Sequence, residues 1–193
     1  MELTGSLVEE KADEYRDVEP LYSVETEHVE MLRGTFASRE YGWRDAEWVV
    51  QWYFRRYLGA YPDADRRAVE SAYGENDFED VRDVVSAVAR AEDGGERVRL
   101  LTTLDGVDVR VASAFLQFVS PERYLVVGDR EWAVLRAADE LEDPYPDPPS
   151  VADYLAYLET CRDVADRCDC NLRTLRMALW RLWNELDTAG TGE

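Results

Sequence analysis

Apolar side chains recur every three to four residues through most of this chain, and that periodicity constrains the fold more than any other feature. It is clearest between Trp43 and Tyr57, where aromatic and aliphatic residues follow one another at helical spacing. Similar runs are separated by turn residues such as Gly59 and Gly74. Residues 124–127 have an extended pattern, but the segment is isolated, so we predict a connection there. The sequence therefore predicts an all-α, single-domain helical bundle.

The helical pattern weakens at both ends of the chain. Residues 1–23 are acidic and weakly patterned, which predicts a partly helical N-terminal extension. Residues 24–188 carry the regular pattern and are predicted to form the helical domain. Residues 189–193 are expected to be a disordered tail. Residues 139–150 are rich in proline and acidic side chains, so we predict a loop.

The charge balance is strongly acidic. The chain has 42 Asp and Glu residues against 22 Lys and Arg residues, and its formal net charge is −20. Lys11 is the single lysine. Salt screens the repulsion among carboxylates, since the Debye length falls to about 3 Å at molar ionic strength. We therefore expect a salt-adapted protein that needs high salt and monovalent cations for stability. The alternative is an ordinary acidic protein from a GC-rich genome.

Several kinds of chemistry are excluded by composition. His28 is the single histidine, which rules out Ser-His-Asp and Cys-His catalysis and most zinc sites unless His28 alone supplies them. Cys161, Cys168 and Cys170 lack metal-ligand spacing and are expected to be reduced thiols. We expect no metal and no cofactor. The chain has neither a secretory signal nor the roughly 18 apolar residues of a membrane span, so we expect a cytoplasmic protein without a membrane partner.

The most informative stretch runs from Leu101 to Ala137. A helical pattern leads into Leu104-Asp105-Gly106-Val107-Asp108, a second helical pattern follows, and Asp129 opens another helix. This arrangement resembles the helix-hairpin-helix module of the base-excision DNA glycosylase superfamily, with the hairpin element at about residues 96–118. The matching residues are Leu104, Gly106, Val107 and Ala112, and Asp129 falls close to the position of the catalytic aspartate.

The resemblance implies a DNA site at the hairpin, with duplex DNA as the partner. A glycine there lets the backbone approach a phosphate, and N–H groups at the start of the second helix bind it. The residues placed at this site are Gly106, Val107, Asp108 and Arg110. Two positions depart from the family pattern, because Asp105 replaces a proline and Asp108 replaces a glycine. The Asp108 carboxylate could instead cap its own helix, and would then fill the phosphate site and repel DNA.

The resemblance also implies a type of catalysis. Arg110 stands where the bifunctional members carry a lysine, and arginine stays protonated, so it cannot form a Schiff base. The implied reaction is monofunctional hydrolysis of an N-glycosidic bond, with Asp129 as the catalytic residue. The alternative role for Asp129 is a helix N-cap. Arg55 and Arg56 could contact phosphates, but surface ion pairs are the more ordinary role of such residues.

Two classes of function remain open. The first is a DNA-binding protein that resembles the base-excision glycosylases, either a monofunctional enzyme that hydrolyses N-glycosidic bonds or a lesion-binding relative. The second is a non-catalytic, acidic helical interaction protein with a protein partner, which keeps the architecture but lacks a working DNA clamp. Asp108 separates the two classes, because a carboxylate that caps its own helix occupies the phosphate site.

Overall fold

The computed structural model describes residues 1–190, with the side chains of all of these except 37 and 188–190. Within that range the chain forms ten helices and no strand, which confirms the all-α prediction. No helix in residues 1–190 combines the length and the apolar character needed to cross a membrane. In chain order the helices are α1 (Gly5–Val18), α2 (Tyr22–Ser38), α3 (Trp43–Arg55), α4 (Asp63–Gly74), α5 (Phe78–Arg90), α6 (Gly94–Leu101), α7 (Val109–Val119), α8 (Asp129–Ala137), α9 (Val151–Arg167) and α10 (Leu172–Gly190).

Helix α7, the second helix of the predicted hairpin, lies at the centre of the core. All of its residues from Val111 to Val119 are buried. It packs against α2, α3, α6 and α9, so most of its surface is covered by other helices. The aromatic helix α3 lies directly beside it and buries Trp52 and Tyr53. The aromatic residues of α3 therefore pack in the core, as their spacing predicts.

Both ends of the chain belong to the same packed unit. Helix α1 lies along α10 and buries Val8, Ala12 and Tyr15. The N-terminal segment, predicted as a partly helical extension, is therefore part of the core. Helix α10 continues through Gly190, so the first two residues of the predicted tail are helical. Residues 191–193 of that tail lie outside the described residues.

Residues 124–127 form a buried, irregular connection between α7 and α8. Buried backbone groups need hydrogen-bond partners, and side chains supply them here. Ser113 and Gln117 of α7 accept two of the segment's N–H groups, at 3.0 and 3.2 Å. The hydroxyl groups of Tyr154 and Tyr157 of α9 donate to two of its carbonyl oxygens, at 3.1 and 3.0 Å. These contacts confirm the predicted connection and fix the place where α8 begins.

Candidate functional site

The turn between α6 and α7 is the first place where the sequence predicts a site. Asp108 is the N-cap of α7, and its Oδ1 accepts the N–H of Val111 at 3.0 Å. Its Oδ2 accepts a hydrogen bond from Arg110 Nε at 2.7 Å. The Asp108 carboxylate therefore occupies a helix N–H group that a phosphate would use, which is the alternative that the sequence left open.

The glycine of the same turn faces protein. Gly106 has φ +72°, a left-handed conformation that favours glycine. A Cβ atom there would lie 2.6 Å from both the Tyr73 nitrogen and the Val69 oxygen of α4. The Asn76 side chain also bonds the N–H and the carbonyl oxygen of Asp105, each at 2.9 Å. Since α4 covers Gly106, and the next residue of the turn is buried in the core, this turn serves packing.

A pocket of about 410 Å³ lies where the α3–α4 connection meets the first turns of α7 and α8 and helix α10. Arg110 and Asp129 both line it, so two of the five predicted site residues share one cavity. Gly106, Val107 and Asp108 are not in its lining. The rest of the lining is rich in aromatic and acidic side chains: Tyr53, Tyr57, Ala60, Tyr61, Pro62, Asp65, Arg130, Tyr145, Asp147 and Trp183.

Asp129 is exposed to the pocket and is held by one hydrogen bond. It is the first residue of α8, and the extended residue Gly128 is the N-cap, so the N-cap interpretation of Asp129 is wrong. The Tyr57 hydroxyl donates to Asp129 Oδ1 at 2.7 Å. Burial raises the pKa of Tyr57 well above its ordinary value, so the hydroxyl stays protonated and remains a donor. Tyr57 thereby fixes the direction of the Asp129 carboxylate.

Beneath the pocket lies a buried ion pair between Arg56, the C-cap of α3, and Glu131 of α8. Arg56 is 1% exposed and Glu131 is fully buried. The Arg56 guanidinium lies over the rings of Tyr53 and Tyr57, at 4.9 Å from each centroid, and over Trp180 at 5.1 Å. It also donates to the Tyr57 hydroxyl oxygen at 3.2 Å. The prediction that Arg56 belongs to a surface ion pair is therefore wrong, and this pair supports the residue that orients Asp129.

Helical spacing could have placed both Arg56 and Glu131 on buried helix faces, but it gave no signal for the contact between them. Arg56 follows Trp52 by four residues and Tyr53 by three, so it shares their buried face on a helix. Glu131 precedes Val134 by three residues and Leu135 by four, so it likewise shares the buried face of its helix. Its partner lies 75 positions away, which local patterns do not reveal.

The rest of the pocket offers both donors and acceptors. Arg110 bridges Asp108 and Asp147, at 2.7 and 3.0 Å. The Tyr145 hydroxyl is buried without a hydrogen-bond partner in the described part of the chain, and burial raises its pKa. A buried hydroxyl without a partner is costly unless a ligand or water supplies one. Tyrosine rings with such polar edges suit a planar heteroaromatic ligand.

The other residues that the sequence singled out are structural. His28 stacks on Trp48, with ring centroids 3.6 Å apart, and its Nδ1 lies 2.8 Å from the Val24 carbonyl oxygen. The three cysteines are free thiols, and burial raises the pKa of Cys170 to about 11. Across residues 1–190 no cluster of His, Cys, Asp and Glu side chains could hold a metal ion.

A larger surface groove of about 790 Å³ lies between α1 and the α9–α10 turn. Its lining consists almost entirely of polar and charged side chains and includes no aromatic ring. It therefore lacks the apolar surface from which ligand sites draw most of their affinity. The aromatic pocket beside Asp129 is the stronger candidate site.

Comparison with known proteins adds no relative. The chain matches no protein-family model, and neither curated proteins nor solved structures give a significant match. The function proposed below rests on the geometry of the pocket and on the residues that carry the resemblance.

Proposed function

We propose that the pocket binds a nucleobase and that the protein hydrolyses an N-glycosidic bond without cleaving the strand, like a monofunctional DNA glycosylase. One observation carries this proposal. Arg110 and Asp129 stand at two positions that the glycosylase resemblance assigns to the site, and they line the same aromatic pocket although they lie on different helices.

The chemistry follows from the lining. Tyrosine and tryptophan faces can stack on a planar base, and the Tyr145 hydroxyl and Arg110 can donate hydrogen bonds to its polar edge. As the glycosidic bond breaks, the sugar gains positive charge, and the Asp129 carboxylate can stabilise that charge. Water supplies the hydroxyl that ends on the sugar and the proton that ends on the base. Tyr57 contributes by keeping the carboxylate in one orientation.

The proposal does not use the hairpin as a phosphate clamp. Asp108 caps α7, and α4 covers Gly106. A base inside a duplex cannot reach a pocket of this kind unless it leaves the stack. Single strands and already unpaired bases are therefore the favoured substrates, and duplex affinity should be weak for a chain with net charge −20.

The test is base release at molar salt from single strands and duplexes that carry alkylated, deaminated or oxidised bases. We expect abasic sites with the parent protein and a loss of about 100-fold in rate for Asp129→Asn, because the substitution removes the charge that stabilises the sugar cation. Asp80→Asn is the matched control, since Asp80 is an exposed aspartate on α5 outside the pocket lining. Abasic-site formation that persists in Asp129→Asn would remove Asp129 from the mechanism.

The second candidate is a non-catalytic interaction protein with a protein partner. The Asp108 cap on the Val111 N–H favours it, because that contact fills the site where the resemblance places a phosphate. The same experiment separates the two candidates. Release of no base from any strand by the parent protein would favour the interaction protein.

A further inference from the structure

Arg130 is a buried cation at the pocket wall. It is 8% exposed and lines the cavity beside Asp129. Its guanidinium lies over three rings, at 3.8 Å from the Trp183 centroid, 4.4 Å from Trp180 and 4.8 Å from Tyr57. Stacking on aromatic faces holds the planar group in one orientation and leaves its N–H edges available.

Arg130 differs from the other buried arginines in its partners. Arg56 and Arg176 each form an ion pair with a buried glutamate, and Arg97 donates to a backbone carbonyl oxygen at 2.8 Å. Within the described residues, the Arg130 guanidinium has no carboxylate within ion-pair distance and makes no hydrogen bond; Asp129 and Glu131 act on it only through space. Burial accordingly lowers the pKa of Arg130, whereas the pKa of Arg56 beside Glu131 is raised.

A buried arginine without an ion-pair partner among the described residues is unexpected in a chain with 42 acidic and 22 basic residues. The aromatic rings cover the face of the guanidinium, and the pocket leaves the group open to a ligand. A stacked guanidinium can bind two oxygens of one phosphate side by side.

We propose that Arg130 binds the phosphate of the ligand, so that the pocket takes a nucleotide, free or within a single strand, in preference to a nucleoside or a free base. The base part of this ligand rests on the function proposed above, whereas the phosphate part rests on Arg130 alone. Asp65, Asp129 and Asp147 of the lining repel a phosphate through solvent, and molar salt screens that repulsion. Binding is therefore best measured at molar salt.

The test follows tryptophan fluorescence, because Trp183 lies directly under Arg130. The full chain is titrated with a deoxynucleoside, its 5′-monophosphate, a single-stranded trinucleotide and inorganic phosphate. We expect the monophosphate to bind at least about tenfold more tightly than the nucleoside, as a charge-assisted contact should give. Arg130→Gln should abolish that preference, because the amide carries no charge.

Two further variants keep the test falsifiable. Arg136→Gln changes an exposed arginine of the same helix that lies outside the pocket lining, and should behave as the parent. Arg130→Lys keeps the charge but cannot bind two phosphate oxygens side by side. It should lose most of the preference for the monophosphate, and it serves as the test if Arg130→Gln fails to fold. A trinucleotide that binds more tightly than the monophosphate identifies the strand as the source of the phosphate, and equal binding identifies the free nucleotide.

The outcomes separate this proposal from the function on which it builds. Equal binding of nucleoside and monophosphate, or a preference that survives in Arg130→Gln, overturns the role of Arg130 and leaves the base pocket standing. Binding of inorganic phosphate through Arg130 without binding of any nucleoside supports the anion site and overturns the base pocket. Binding of none of the four probes overturns both.

Discussion

At the scale of single residues, two buried ion pairs lie beside Trp52. Arg56 pairs with Glu131, and Arg176 pairs with Glu25 at 2.6 Å. The Trp52 indole N–H donates to Glu25 at 2.9 Å, and both guanidinium groups lie within 6 Å of its ring. Removing a charge from water costs free energy. Each buried charge is tolerated only because its ion-pair partner and the surrounding rings compensate for that cost. Arg56 also supports Tyr57, and through it the orientation of Asp129.

Breaking the ion pair under the pocket should therefore strongly destabilise the fold. We expect Arg56→Met to lower the free energy of unfolding by about 3–5 kcal/mol, because Glu131 is left buried and unpaired. The double variant Arg56→Met/Glu131→Leu should be less destabilised than Arg56→Met alone, since no buried charge remains. Urea denaturation at constant salt measures both values.

An exposed pair of the same kind provides the control. Arg67→Met breaks the contact with Asp63, in which the two side chains are 72% and 67% exposed, and should cost less than about 1 kcal/mol. Additive costs in the Arg56/Glu131 double variant would show that the two side chains are not coupled.

At the scale of elements, the α6–α7 hairpin shows how a turn motif can serve packing. Its second helix, α7, is buried along most of its length, and its glycine lies against the backbone of α4. Asn76, at the end of α4, ties the turn down through the backbone of Asp105. The hairpin is therefore an internal part of the bundle.

The tight contact at the hairpin predicts that alanine substitutions at two glycines have opposite effects on stability. Gly106→Ala should destabilise the fold by several kcal/mol, because its Cβ would meet α4 backbone at 2.6 Å and alanine disfavours φ +72°. Gly34→Ala, in the interior of α2 with no atom within 4 Å of its Cβ, should stabilise the fold by about 0.5–1 kcal/mol. Thermal melts of both variants measure the difference. An unchanged melting temperature for Gly106→Ala would contradict the packing described here.

Local signals predicted the elements, and distant contacts made the site. The start of α9 is set by neighbouring residues, because the side chains of Ser150 and Asp153 form a capping box there. Asn171 likewise caps α10 by accepting the Thr174 N–H at 2.9 Å. These partners lie within three residues of each other, so helix starts of this kind can be recognised from the sequence. The contact of Arg110 with Asp147 joins positions 37 apart, and no local pattern reveals such a contact before the chain is folded.

At the scale of the whole molecule, the chain carries a formal net charge of −20. The single lysine, Lys11, is 8% exposed and lies between Glu14 and Glu185, at 2.7 and 2.5 Å. The remaining cations are arginines, and several of them are buried in ion pairs or ring contacts. The surface is therefore left with a large excess of carboxylates, whose repulsion destabilises the compact state at low ionic strength.

This excess predicts that stability rises with salt. We expect the melting temperature to increase steadily between low salt and molar potassium chloride, because the Debye length shortens from about 30 Å at 0.01 M to about 3 Å at 1 M. Circular dichroism melts across that series measure the effect. A melting temperature that stays constant or falls would rule out salt adaptation.

The central claim is that the pocket between Arg110, Asp129 and Arg130 is where this protein binds its ligand. A crystal structure of the chain with a nucleoside monophosphate, grown at molar salt, tests this claim most directly. We expect the base against the tyrosine rings of the pocket, beside the Tyr145 hydroxyl, with the phosphate within hydrogen-bond distance of Arg130. A pocket that stays empty at saturating ligand, or a ligand bound at the α6–α7 turn instead, would contradict the account.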